Sequence, residues 1–384
     1  MEPKKTVWDN PAEIIRNLQP DHPVMAFAPT VLQDRARQFL QGFPGLVTYA
    51  VKSNPDEAVI QNLVTAGIKG FDLASPFEID LVGRLAPGAA RHYHNPVRSP
   101  REIAHAVREG ILAWSVDSRS ELDKLIAQVP TQMDGKGVEI SARFKLPVSG
   151  AAYDFGSKFG ATPDLAADLL RLVADRGYVP SLTFHPGTQC ADPAAWASYI
   201  RMARRICDMS GVKAHRLNVG GGFPSHRVLG GKPDLQAIFT EISQMVAECF
   251  GADAPLLVCE PGRGLCADAY ALITRVKAVR DGTDVFLNDG VYGGLSELPV
   301  IGNLDRIEVL TPQGKPRTGA RIGRVVFGPT CDSLDRLPGE LGLPDDLAED
   351  DYVIFHGAGA YSMVTNTRFN GFGAMTRATV MGFE

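Results

Sequence analysis

Lys52 ends the run Thr48-Tyr49-Ala50-Val51-Lys52-Ser53-Asn54-Pro55, directly after residues that a buried strand would contain. A free ammonium is costly to bury there, whereas an amine consumed in an imine carries no such charge. Lysine at its reference pKa of ~10.4 is a poor nucleophile near neutrality, so Schiff-base chemistry requires a desolvating or cationic setting. A second stretch, Asn218-Val219-Gly220-Gly221-Gly222-Phe223-Pro224, exposes successive backbone N–H groups with no side chains in the way. Such a run makes an anion nest, or simply a tight turn. Glu260-Pro261-Gly262-Arg263-Gly264 offers a carboxylate that would pair with a protonated pyridine nitrogen, or with Arg263. His185, in Phe184-His185-Pro186-Gly187-Thr188-Gln189-Cys190, would stack on a planar ring or serve as a core histidine. Cys331 stands beside Asp332 on a Gly-Pro turn, as a proton donor or as a buried, inert thiol. Tyr361 sits in Gly357-Ala358-Gly359-Ala360-Tyr361-Ser362, which lacks the last glycine and the βα unit of a dinucleotide fingerprint. His92-Tyr93-His94 has no third ligand in its pattern and reads as structural, so no metal is expected.

These residues need a scaffold that brings strand ends together. Strand-like runs fall at 46–52, 70–75, 91–96, 113–117, 139–145, 181–187, 216–222 and 256–261, with helix-like segments between them. Ser75-Pro76, Ser99-Pro100, Asp117 or Ser118, and Thr162-Pro163 are helix-start signals. A further helix is expected at 9–18, an apolar strand at 24–28 and a helix at 31–41. Strand–helix alternation implies a parallel sheet. About eight such units suit a closed, TIM-like (β/α)8 barrel, whose active sites lie at the carboxyl ends of the strands. Lys52, Asp72, Arg143, His185, the three glycines and Glu260 each stand at such an end. An open doubly wound sheet would usually begin with a glycine-rich loop, where this chain has Lys52-Ser53-Asn54. After about residue 265 the pattern turns to strands at 267–280, 284–289, 305–311, 321–328 and 350–356, an all-β domain. The expected division is 22–262 for the barrel, with 1–21 and 263–384 in the β-domain.

Composition narrows the function classes. The 384 residues carry a net charge of −5, which gives no reason to expect nucleic acid or an anionic membrane as partner. There is no signal-like start, and no apolar run approaches the ~20 residues of a membrane span. The six cysteines form no CxxC pair, and a reducing cytoplasm fits best.

Taken together, the motifs resemble the fold-type III pyridoxal-phosphate (PLP) decarboxylases, the family of ornithine, diaminopimelate and arginine decarboxylases. The resemblance runs from about residue 22 to the C-terminus through YAVKSN, FDLAS with Glu78, SKFG at 157–160, FHPGTQ, GGGFP, EPGRG, NDGVYG, GPTCDSLD, GAYSM and FNGF. It implies PLP as cofactor and a homodimer with active sites shared between subunits. By position, Lys52 would carry the PLP, His185 would stack on its ring, and Glu260 would pair with its nitrogen. Gly220, Gly221, Gly222, Gly262, Arg263 and Tyr361 would hold the phosphate, with Thr188 nearby. Asp72 and Arg143 would support the site near Lys52, with Glu78 behind them. Cys331 would protonate the carbanion left by CO₂ loss, Asp332 would touch the substrate from the partner subunit, and Phe369 would line the pocket. A basic diamino acid such as ornithine or lysine is the expected substrate. Ile301 occupies the place where ornithine decarboxylases carry an acidic residue, and Glu297 reaches that role only in a rearranged loop. Diaminopimelate decarboxylases usually read Cys-Glu-Ser where this chain has Cys331-Asp332-Ser333. A larger carboxylated amine, as in siderophore pathways, is the alternative substrate. An alanine-racemase-like enzyme and a non-catalytic regulatory homologue are the rival classes.

Overall fold

The apolar runs between residues 46 and 259 are short and buried, as parallel strands covered by helices must be. The computed structural model describes residues 6–146 and 158–384, so Ser157 of the SKFG marker lies outside the described residues. Two compact units divide the chain: Ala36–Pro224 with Pro233–Gly264, and Met1–Arg35 with Ser225–Lys232 and Leu265–Glu384.

The first unit is a closed barrel of eight parallel strands. They are β1 (Leu46–Ala50), β2 (Gly70–Leu73), β3 (Ala90–Tyr93), β4 (Ala113–Val116), β5 (Glu139–Arg143), β6 (Val179–Thr183), β7 (Arg216–Asn218) and β8 (Leu256–Cys259). Each pairs with its neighbours in chain order, and β8 closes on β1 with Val258 opposite Leu46. Helices return the chain between strands, and their starts are built from side chains. Ser75, Ser118 and Thr162 each accept the N–H three residues on, and Ser99 forms a reciprocal capping box with Glu102. Outside the strands, aromatic rings lock helix to barrel: Phe184 stacks on Tyr199 at 4.5 Å, and Trp196 on Phe223 at 5.1 Å. Several strands stop earlier than the apolar pattern suggests. β6 ends at Thr183 and β7 at Asn218, so His185 and the three glycines lie beyond the ladder, where backbone groups can turn toward a ligand.

The second unit is a nine-stranded sheet. Its long central strand, Tyr270–Arg280, pairs antiparallel with Tyr352–His356, Val24–Phe27 and Asp284–Leu287. Val24–Phe27 also runs parallel to Thr376–Val380. This corrects the expected boundary at residue 22: the strand at 24–27 belongs to the β-sheet, because its partners come from the C-terminal part of the chain. Helix Pro11–Leu18 supplies Ile14 and Ile15 to the core under this sheet, beside Val24, Ala26, Ile273, Tyr352 and Ile354.

Candidate active site

The carboxyl ends of the barrel strands gather polar side chains that the core does not need. Lys52 lies on a 3-10 turn, Val51–Ser53, immediately after β1. The turn is tied down: Tyr49 Oη donates to the Asn54 carbonyl (2.9 Å) and Ser53 Oγ to that of Ala50 (2.8 Å). The Lys52 side chain is 50% exposed, with Nζ 3.9 Å from Asp72 Oδ2. Its neighbours supply the electrostatics instead.

Asp72 sits on β2 opposite Ala50, and is 4% exposed. Burial and the nearby Glu260 push its pKa up to about 7, against Lys52 and His94. Glu260 follows β8. Burial alone would raise its pKa, but His94, Lys52 and Asn218 together bring it down to about 2, so it is a carboxylate at neutral pH. His94 Nδ1 and Asn218 Nδ2 both hydrogen-bond to Glu260 Oε1, so the carboxylate is engaged by β3 and β7. Arg263 itself is buried at the start of the short helix Arg263–Cys266. Glu78 accepts the Ala74 N–H (2.6 Å) and braces the turn after β2.

The loop after β6 carries His185, whose Nδ1 accepts the Gly187 N–H at 3.0 Å. That bond uses the Nδ1 lone pair, and burial with Arg143 and Lys52 pushes the imidazole pKa down to about 3. His185 is therefore a neutral ring. Thr188 lies partly buried on the same loop. Arg143 ends β5 with its guanidinium 5.3 Å from the Phe159 ring.

The glycines are required by contact as well as by conformation. Gly220 and Gly222 have φ of +70° and +84°, and a Cβ on either would fall 2.1 Å from the Phe184 carbonyl or 2.2 Å from that of Gly187. At Gly221 a Cβ would lie 3.1 Å from His185 Nε2 and 2.7 Å from the Glu260 carbonyl. The run thus packs between His185 and Glu260. Gly262 faces Lys52's turn, where a Cβ would meet Ser53 Oγ at 2.9 Å.

The remaining expected site residues lie in the β-sheet unit, on three loops joined to one another. Asp332 accepts the Leu334 N–H (3.0 Å) and the Tyr292 hydroxyl (2.6 Å), and these bonds lower its pKa. Tyr292 packs against Phe369, ring centroids 5.1 Å apart. Cys331 is exposed, and its N–H donates to Asn370 Oδ1 at 3.1 Å. Tyr361 has a left-handed backbone, φ 65°. Glu297 precedes the short helix Leu298–Ile301, in which Ile301 is half-buried.

Two residues of this cluster carry no mark in the sequence. In the sequence His94 belongs to a His-Tyr-His pattern with no third ligand, and Asn218 merely precedes the glycines. Asn218 Nδ2 is 3.1 Å from His94 Nδ1, while its Oδ1 accepts the Gly220 N–H at 2.9 Å. Asp72, His94 and Glu260 also place donor atoms within 4.8 Å of one another.

A phosphorylated pyridine fits this set. Lys52 offers an amine and Glu260 an anion for a ring nitrogen. His185 offers a neutral face, and the glycines offer a cradle that any Cβ would fill. Asp72 Oδ1 and His94 Nε2 are buried without a hydrogen-bond partner, as polar atoms facing a ligand would be.

Comparison with known proteins agrees. The family profile "Pyridoxal-dependent decarboxylase, pyridoxal binding domain" matches residues 30–267. Ornithine decarboxylase of Panagrellus redivivus is 30% identical over 382 residues, spanning 92% of this chain and 84% of the relative. Lysine/ornithine decarboxylase of Selenomonas ruminantium is 30% identical over 334 residues, spanning 85% and 81%. Among solved structures, the Paramecium bursaria Chlorella virus arginine decarboxylase bound to agmatine superposes with a TM-score of 0.84 at 26% identity, covering 96% of this chain and 99% of that one. The barrel, the cluster at its strand ends and these likenesses converge: the chain belongs to the pyridoxal-dependent decarboxylases, and is a PLP-dependent amino-acid decarboxylase.

Proposed function

We propose that the substrate is a basic diamino acid, of the ornithine or lysine type, converted to a diamine and CO₂. The observation that carries this is Asp332. Its carboxylate is held ionised by the Leu334 N–H and the Tyr292 hydroxyl, beside the Cys331 thiol, and suits the ammonium of a substrate side chain. The relatives named for ornithine and lysine, and the Vibrio vulnificus lysine/ornithine decarboxylase solved with putrescine, support the same class. Ile301 gives a second reading, a larger carboxylated amine, because an apolar side chain stands where a distal ammonium would want an acid.

Bound PLP supplies the electron sink for decarboxylation. The chain's own residues do the rest. Lys52 would provide the amine that holds the cofactor. Glu260, ionised, would pair with its ring nitrogen. His185, neutral, would cover a ring face without adding charge. Gly220 to Gly222, Gly262, Arg263 and Tyr361 would bind the phosphate, with Thr188 beside them. Asp72 and Arg143 set the field around Lys52. Cys331 returns a proton to Cα, and Phe369 lines the pocket.

The active assembly in this reading is a homodimer. Cys331 is exposed on the single chain, Phe369 is 41% exposed and Leu334 73%. A proton donor to a carbanion must be kept from water, and a second copy would cover these loops. A reducing, cytoplasmic setting is supported by the absence of a disulfide among the six cysteines, all of which lie in the described residues. No described helix is long and apolar enough to cross a membrane. The presence of Lys52, Cys331 and Asp332 favours an enzyme over a regulatory homologue. CO₂ release from a panel of ornithine, lysine, arginine, diaminopimelate and carboxylated polyamines tests the substrate; turnover confined to the carboxylated polyamines would replace the diamino-acid reading.

A further inference from the structure

We propose that His94, an imidazolium clamped between Glu260 and Asp72, is the positioning residue that fixes Glu260 toward the cofactor's ring nitrogen. His94 follows β3, and its main chain is anchored on both sides. Its N–H donates to the Leu73 carbonyl (3.2 Å), and its carbonyl accepts the Ser115 hydroxyl (2.7 Å). The ring is 8% exposed, so it has little freedom to leave.

Two buried carboxylates converge on this one ring. Nδ1 is hydrogen-bonded to Glu260 Oε1 and lies 4.0 Å from Asp72 Oδ1. Two ionised carboxylates at such range repel each other, and burial raises the cost. An imidazolium between them compensates one charge, and the carboxyl of Asp72 has its pKa raised to about 7 by burial and Glu260. Asn218 is the neutral half of the clamp. It donates to the same Oε1 and accepts from Gly220, so the position of Glu260 is tied to the glycine cradle. Burial opposes a charge on His94, but Glu260 and Asp72 outweigh it, and Glu139 adds to them.

Other groups face the same space. His92, its ring 5.2 Å away, is held neutral by burial, with its pKa down to about 3. Lys52 faces Asp72 from the end of β1, Arg143 ends β5, and Arg216 begins β7 paired with Glu139 at 3.0 Å. Of these cations Lys52 also acts on Glu260, lowering its pKa after His94 does.

The pair itself does not depend on the cofactor reading; only its consequence does. The test therefore has two parts. First, ¹⁵N-detected NMR of the cofactor-free protein follows the imidazole nitrogens through a pH titration, with the His94 signals assigned by their loss in His94→Asn. His94 is expected to stay doubly protonated well above the ordinary histidine midpoint of ~6.5, and to fall back in Glu260→Gln. A midpoint at or below the ordinary value, or no response to Glu260→Gln, overturns the proposal. Second, PLP affinity is read by fluorescence quenching. His94→Asn keeps a donor without the charge and is expected to bind roughly tenfold more weakly, as for the loss of about one pKa unit of coupling; His94→Leu should bind more weakly still. Melting curves of both variants separate misfolding from weakened binding. Equal affinity in folded His94→Leu and wild type overturns the positioning role. A wild type that binds no PLP while His94 stays charged would instead refute the function proposed above and leave the clamp standing.

Discussion

Asp335 holds the loop that presents Cys331 and Asp332, and its removal should be felt in a calculable way. It is 1% exposed. Its Oδ1 accepts the Val291 N–H at 2.9 Å and its Oδ2 the Thr330 N–H at 3.0 Å, joining the turn after Asn288 to the turn before Cys331. Each hydrogen bond to a charged partner is worth about 1.5–3 kcal/mol, so Asp335→Ala should cost about 3–6 kcal/mol. For a unit of this size that corresponds to a fall in Tm on the order of 10 °C. Gly328 supplies an internal control. A Cβ there would fall 2.2 Å from Asp335 Oδ1, 2.3 Å from Oδ2 and 2.4 Å from Cγ. Gly328→Ala alone must expel the carboxylate and so lose the same two bonds. With the carboxylate already gone, the three atoms nearest to that methyl are absent. The double variant should therefore be about as stable as Asp335→Ala, with a coupling of about 2 kcal/mol or more. Calorimetry and urea unfolding of the four proteins in the cycle measure this. Simple additivity, with a double variant as destabilised as the sum, would refute the reasoning.

Cys331→Ala should slow turnover by about 10²–10⁴-fold, the usual contribution of a general acid, while PLP binding is retained; an unchanged rate and product would remove Cys331 from that role. Gly222→Ala forces about 1–3 kcal/mol of backbone strain and displaces the Gly187 carbonyl, so PLP should bind more weakly in a fluorescence titration. Asp289, 1% exposed, has its pKa pushed up to about 7, chiefly by burial and further by Asp335, against hydrogen bonds from Gly294 and Gly290. Its folded pKa exceeds the unfolded value of ~3.9, so the folded state holds a proton that the unfolded chain gives up. This group's contribution is therefore full below pH ~4, declines as pH rises toward 7, and is worth at most about 4 kcal/mol. Asp289→Asn should flatten that part of the stability–pH curve relative to wild type; parallel curves for the two proteins would contradict it.

Much of the barrel could be read directly from the chain because its strands are buried on both faces and separated by helices with Ser-Pro or Thr-Pro starts. The expected strands at β3, β6 and β7 ran past the ladder ends at Tyr93, Thr183 and Asn218, because the chain continues into buried loop residues such as His94, Phe184 and Val219. Val24–Phe27 was misplaced because its pattern states that it is buried, not which sheet receives it. Lys52, the glycines and Glu260 were legible because each stands in a local motif. His94 and Asn218 were not: the first is two residues from another histidine and the second precedes a glycine run, and neither spacing shows that closure of the barrel brings β3 and β7 to Glu260. The exposure of Lys52 was also hidden, since an apolar approach on one strand says nothing about what covers its end.

The most direct test is chemical. Borohydride reduction of the PLP-loaded protein, followed by proteolysis and mass spectrometry, should place the pyridoxyl group on the peptide containing Lys52, and Lys52→Ala should carry none there. Label on another lysine, or no label in protein that has been shown to bind PLP, would contradict the assignment on which this account rests.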